Sequence, residues 1–107
     1  MALRSAARAG LPLVVTENGI ASEDDEQRID YLESHLAVVL DALTKGIDVR
    51  GYLYWSSFDN FEWAEGYRPR FGLVGIDRDD ELRRVVRPSA HAFGRVARTG
   101  RLAALRE

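Results

Sequence analysis

Two kinds of hydrophobic spacing alternate along this chain. Residues 11–17, Leu-Pro-Leu-Val-Val-Thr-Glu, form a continuous apolar, β-branched run that closes on a carboxylate. Unbroken apolarity, rather than alternation, marks a strand buried on both faces. Asn18-Gly19 breaks the run, since both residues tolerate positive φ. Over 24–45 the period lengthens: Ile29, Leu32, Leu36, Val39, Leu40 and Leu43 recur at helical intervals and form one apolar stripe. Acidic residues from Glu23 to Glu26 suit the positive end of that helix, and Lys45-Gly46 suits its close. His35 lies beside the stripe and reads as a boundary position. Residues 49–55 make a second strand. Strand, helix, strand in this order predicts a βαβ unit with parallel strands and a right-handed crossover.

The flanks are shorter. Residues 5–10 read as a helix end stopped by Gly10. Residues 56–72 form a long loop without clear period, Leu73 to Asp77 a short extended piece, and Asp79-Asp80 a turn. Pro88-Ser89 opens a last helix over 88–99 that carries Phe93, Val96 and Ala97 and ends near Gly100. The expected fold class is α/β, consecutive β/α units with an elaborated loop after the second strand.

Composition narrows the chemistry. A length of 107 residues allows one modest domain, well short of the roughly 250 of a complete (β/α)8 barrel. Fifteen basic and 17 acidic side chains leave a formal charge of -2, which argues against a chain built to grip nucleic acid or an acidic membrane. Charge is nevertheless uneven. Eight of the basic residues follow Asp77, a tail that suits either a binding patch or a solvated helix face. The absence of cysteine excludes disulfides, thiolate metal sites and a cysteine nucleophile. With His35 and His91 the only histidines, a multi-histidine metal site is not expected. No apolar run approaches the roughly 18 residues that span a bilayer, and no secretory core is seen. The cytoplasm is therefore the default expectation.

Eight of the ten aromatic residues (Tyr52, Tyr54, Trp55, Phe58, Phe61, Trp63, Tyr67 and Phe71) fall in one twenty-residue window, with Asp59, Glu62 and Glu65 threaded among them. A sugar site wants this mixture, because pyranose C–H faces stack on aromatic rings while hydroxyls donate to carboxylates. An aromatic packing cluster with solvent-facing acids has the same composition. Glu17 closes an apolar strand at its C-terminal end, the face where β/α proteins place reactive groups. Glycoside hydrolysis needs two carboxyl groups, and Glu17 suits one of them. A carboxylate paired with a nearby arginine would look alike.

Thr16-Glu17-Asn18-Gly19 resembles the nucleophile motif of glycoside hydrolase family 1, the β-glucosidases and their relatives. Leu53-Tyr54-Trp55-Ser56, Asp59-Asn60-Phe61-Glu62-Trp63 and Gly66-Tyr67 through Arg70-Phe71-Gly72-Leu73 are similar to that family's C-terminal signature, in the same order and at fitting separations. The likeness runs from about residue 3 to about residue 102. It implies an α/β fold in which this chain supplies the last two β/α units of a (β/α)8 barrel. It also implies that Glu17 is the nucleophile of a retaining mechanism and Trp55 the platform under the sugar. Glu62 would accept hydrogen bonds from the 4- and 6-hydroxyls, Trp63 would donate its indole N–H to the 3-hydroxyl, and Phe71 would line the same subsite. Ser57-Phe58 stands where the family usually has paired leucine-like residues. The implied partner is a β-glycoside or oligosaccharide substrate, and no metal or organic cofactor is implied.

The family's acid/base is a glutamate within Asn-Glu-Pro on an upstream strand, and no Asn-Glu-Pro occurs among these 107 residues. Retention needs two carboxyls roughly 5–5.5 Å apart, whereas the resemblance sets Glu62 against the sugar's hydroxyls. The isolated chain is therefore expected to be a very poor glycosidase. Two parallel strands also leave sheet edges open and Val14, Leu53 and Trp55 uncovered. The chain is expected to need the remainder of the barrel or copies of itself. Three readings follow: part of a β-glucosidase-like enzyme, a sugar-binding module using Trp55, Glu62 and Trp63, or an inactive truncated product. The first is preferred.

Overall fold

Parallel pairing of Leu13–Asn18 (β1) with Val49–Tyr54 (β2) organises the chain, which a computed structural model describes over residues 2–107. Ahead of β1, Ala2–Ala6 (α1) passes into a 3-10 turn at Ala7–Ala9. Gly10 closes that turn in the left-handed region at φ 70°, where a side chain would be strained. The 20-residue helix Asp25–Thr44 (α2) forms the crossover between the two strands. Its N-cap is Asp24, whose side chain accepts from the Glu26 N–H at 3.0 Å, and Asp25 and Glu26 add negative charge at the positive end of the helix.

The core lies on the helix side of the β1–β2 sheet. Ile29, Leu32 and Leu36 of α2 meet Tyr54 of β2, Ala92 of the last helix Pro88–Thr99 (α3), and Leu105 of the terminal 3-10 turn Leu102–Arg106. Tyr52, Leu73, Phe93 and Val96 pack around them. Only part of the predicted α2 stripe is covered. The cluster ends at Leu36, and beyond it Leu40 and Leu43 stay 40% and 44% exposed.

The opposite sheet face has no covering layer among the described residues: Val14 is 52% and Leu53 57% exposed. Shape reflects this one-sided burial. The chain measures 47 × 35 × 18 Å with a radius of gyration of 15.2 Å, against about 13 Å for a compact domain of this length. Its accessible surface is 7091 Å², against roughly 6,000 Å² for a folded monomer of this mass. No helix among the described residues is long and apolar enough to cross a membrane.

After β2 the chain forms a hairpin that the hydrophobic pattern discloses only in part. Val74–Asp77 (β3) pairs antiparallel with Arg83–Val86 (β4), from Val74 opposite Val86 to Asp77 opposite Arg83. All four β4 residues are exposed, so no apolar alternation marks the strand. The turn extends past Asp79-Asp80 through Glu81 and Leu82, which adopt φ 49° and 59°.

Candidate active site

Glu17 stands exposed at the C-terminal end of β1, and the strand register explains its placement. Val15 lies opposite Tyr52 and Asn18 opposite Tyr54, so β1 uses three steps where β2 uses two. The extra residue falls within Thr16-Glu17, and a bulge at a strand end re-aims the side chain it carries. The Trp55 N–H donates to the Asn18 carbonyl at 3.0 Å, which locks the two strand ends together.

Gly19 is needed here for a reason other than the predicted one. It does not adopt positive φ, nor does Asn18. Instead the Trp55 carbonyl packs onto it: a Cβ at Gly19 would lie 1.7 Å from that oxygen. Gly72 has the same role across the loop, where a Cβ would come within 2.4 Å of the Asp59 nitrogen.

Glu17, Asn18, Gly19, Tyr31, Trp55, Glu62 and Phe71 line one open recess of about 350 Å³. Four of the five predicted site residues therefore meet there. The Trp55 indole N–H donates to Glu62 Oε1 at 3.0 Å, tying the aromatic platform to the loop carboxylate. Trp63 is not among the lining residues. It sits on the 3-10 turn Trp63–Glu65 at φ 47° with 84% of its surface exposed.

The three acids among the aromatics have three different fates. Glu62 faces the recess. Glu65 is exposed and pairs with Arg68 on the outer turn. Asp59 is buried and holds the loop together: it accepts from Arg87 at 3.0 and 2.8 Å and from the Gly72 N–H at 2.9 Å. Burial pushes its carboxyl up, but Arg87 and the backbone donors of Gly72 and Ile76 outweigh that and hold it below its ordinary range. The loop also closes on its own backbone, with Leu73 N–H on the Ser56 carbonyl and Val74 N–H on the Ser57 carbonyl, both at 2.9 Å.

Arg28 supplies the other anchor. Its side chain is 1% exposed, pairs with Asp25 at 2.6 Å, and donates to the Ser22 and Arg70 carbonyls at 2.7 Å. Asp25 in turn accepts from the Ser89 N–H at 2.8 Å and the Ser89 hydroxyl at 2.7 Å. The start of α2, the end of the aromatic loop and the start of α3 thus meet at one ion pair, whose arginine is buried. Sequence reading missed Arg28, Arg87 and Tyr31. Arg28 and Arg87 lie far along the chain from the loop atoms they hold, and Tyr31 lies off the apolar stripe.

A larger hollow of about 510 Å³ lies beside the hairpin, away from Glu17. Its cations are already engaged: Arg70 with Glu23 at 3.4 Å, Arg87 with Asp59, and Arg78 stacked 3.6 Å over the Tyr67 ring. No cluster of three or more His, Asp or Glu side chains suited to a metal occurs among the described residues.

The profile of glycosyl hydrolase family 1 matches residues 3–101. A chloroplastic galactolipid galactosyltransferase from Arabidopsis thaliana is 45% identical over 92 residues, covering 86% of this chain and 15% of the relative. The β-glycosidase from Pyrococcus horikoshii superposes with a TM-score of 0.90 at 52% identity, over 92% of this chain and 23% of its own. The β-glucosidase from Thermotoga maritima, in complex with glucoimidazole, superposes with a TM-score of 0.85 at 36% identity, over 91% of this chain and 24% of its own. The chain thus spans less than a quarter of each of these proteins, and its parallel β/α architecture is that of a partial barrel. With the profile spanning nearly its whole length, the chain belongs to glycosyl hydrolase family 1.

Proposed function

We propose that this chain forms the last two β/α units of a retaining β-glycosidase barrel and supplies its nucleophile and part of its sugar site. The observation that carries this reading is the convergence of Glu17, Trp55, Glu62 and Phe71 on one recess at the C-terminal end of β1 and β2. The substrate is a terminal β-D-glycosyl residue of the glucoside type. Its ring stacks on Trp55 beside Phe71, and its outer hydroxyls donate to Glu62. Trp63 donates its indole N–H to the 3-hydroxyl once substrate or a neighbouring segment draws its turn over the recess.

In the first step the Glu17 carboxylate attacks the anomeric carbon. The bond to the leaving oxygen breaks, and that oxygen takes a proton from an acid outside these 107 residues. In the second step water attacks the glycosyl ester, its proton passes to the same outside group, and Glu17 is regenerated. An acceptor alcohol in place of water makes the outcome transfer rather than hydrolysis, the activity carried in the name of the Arabidopsis relative. Without the outside acid the isolated chain turns over ordinary glycosides very poorly.

The uncovered face bearing Val14, Leu53 and Trp55 supports a second component of the proposal, that the working site is completed by the remainder of the barrel or by association of copies. A non-catalytic sugar-binding fragment or an inactive truncated product is the second reading, favoured by the absence of Asn-Glu-Pro from the sequence.

The test uses an aryl β-glucoside whose leaving group needs no protonation and whose fluorine slows breakdown of the glycosyl enzyme. Intact-mass measurement should show one glycosyl adduct, absent in Glu17→Gln. Soluble, folded chain that acquires no adduct but binds glucoimidazole supports the sugar-binding reading, and chain that does neither supports the inactive one.

A further inference from the structure

Asn18, the residue after Glu17, has its carboxamide held from two elements. Its Oδ1 accepts from the Tyr52 hydroxyl at 2.6 Å and lies 3.0 Å from His35 Nδ1, while its Nδ2 donates to the Tyr31 hydroxyl at 3.1 Å. Tyr31 and His35 belong to α2, one turn apart, with ring centroids 3.7 Å from each other. Tyr52 comes from β2 and packs against the core.

The network engages both acceptor sites of Oδ1 and one of the two Nδ2 hydrogens, each with a partner of the right kind. Oδ1 can take two hydrogen bonds, so in this arrangement His35 carries its proton on Nδ1 and donates. Burial lowers the imidazole's pKa, which keeps the ring neutral at neutral pH. Burial first, and then the neighbouring phenols Tyr31 and Tyr54, raise the Tyr52 pKa, so its hydroxyl stays a donor. Rotation about the Asn18 side chain is therefore stopped from both sides. The backbone at Asn18 is also fixed by the Trp55 N–H and by the carbonyl packed on Gly19.

We propose that His35 and Tyr52 are positioning residues that hold Glu17 at the anomeric carbon by clamping the Asn18 carboxamide between α2 and β2. The bulge at Thr16-Glu17 gives the structural reason. A bulged residue lacks its ladder partner, so its direction depends on what anchors the residues beside it. On the downstream side that anchor is Asn18. The proposal rests on the reading of Glu17 as nucleophile, and its test separates the two.

The full chain is prepared as wild type, His35→Phe, His35→Asn and Tyr52→Phe. Phenylalanine at 35 keeps a ring against Tyr31 and removes the donor, whereas asparagine sets its Nδ2 near the place of Nδ1. Backbone hydrogen exchange at Glu17, Asn18 and Gly19 is read first, without any substrate. His35→Phe and Tyr52→Phe are expected to speed exchange at these three amides, while His35→Asn and the amides of α3 stay at wild-type rates. Labelling by the fluorinated aryl glucoside is read second. Both clamp-breaking variants should lower the saturating rate roughly tenfold, as expected for a slightly misdirected nucleophile, with half-saturation unchanged and His35→Asn restoring the rate. Unchanged exchange in His35→Phe and Tyr52→Phe overturns the clamp, as does a wild-type chain unprotected at Asn18. Faster exchange in His35→Phe and Tyr52→Phe, beside a protected wild type that cannot be labelled, upholds the clamp and instead removes the nucleophile reading.

Discussion

Arg87 donates to both carboxylate oxygens of Asp59, at 3.0 and 2.8 Å, and so joins the entry of α3 to the aromatic loop 28 residues earlier. Its Nη1 also reaches the Gly72 carbonyl, and Asp59 takes the Gly72 N–H, so both polar groups of one loop residue end on the same ion pair. The recess depends on this junction, because Glu62 and Phe71 lie on the segment that Asp59 and Gly72 bracket.

Arg87→Ala leaves a buried carboxylate without its cation and should destabilise the chain by about 3–5 kcal/mol, the usual cost of breaking a buried pair. Asp59 also sets an acid limit. Its folded-state pKa lies below the ordinary 3.8, so its stabilisation is present above that value and is lost as pH falls through it toward the folded pKa. Urea midpoints measured against pH should fall more steeply on the acid side for wild type than for Asp59→Asn. Parallel profiles would refute the assignment.

Gly19→Ala drives a methyl into the Trp55 carbonyl, which is backbone and cannot swing away. Overpacking of this kind costs about 1–3 kcal/mol or more, and here it separates the two strand ends that carry Glu17 and Trp55. Gly46→Ala is the control: Gly46 has φ 81° and open space around it, so the strain is local. Thermal melts should show both variants weakened, with the tryptophan fluorescence of only Gly19→Ala shifted toward a more solvent-exposed indole.

Glu62→Ala should weaken glucoimidazole binding by roughly tenfold or more, since hydrogen bonds to a charged group contribute about 1.5–3 kcal/mol. The melting temperature should hardly move, because Glu62 lies on a partly exposed loop. Trp55→Phe keeps an aromatic platform and loses the N–H that holds Glu62, so its effect should be smaller. Calorimetric titration of both variants decides the point; undiminished binding in Glu62→Ala would remove it from sugar recognition.

The sheet face bearing Val14 and Leu53 should make the chain associate or bind a hydrophobic dye. Leu53→Lys should reduce both without lowering the melting temperature, because the side chain is 57% exposed and outside the core cluster. Light scattering after size-exclusion chromatography provides the measurement. A wild-type monomer that binds no dye would show that this face needs no cover.

Elements whose burial is local and periodic are legible in the order of residues alone. The apolar run before Glu17 is β1, the 3.6-residue stripe is α2, and Pro88 and Gly100 bracket α3, because strand and helix spacing each place one face against a core. The same order places Glu17 at a strand end and concentrates aromatics in one loop. What these features do together is set by packing between distant segments. Asp59 became an anchor and Glu62 a recess wall, although both are acids in the same aromatic segment. Gly19 serves a carbonyl contact rather than a turn, and β4 forms without an apolar pattern because β3 supplies its hydrogen bonds. The Asn18 clamp joins two elements, and Arg28 and Arg87 reach loop atoms 42 and 15 residues away. Hydrophobic periodicity records which face of an element is buried, whereas the direction and distance of a hydrogen bond exist only once distant segments have packed.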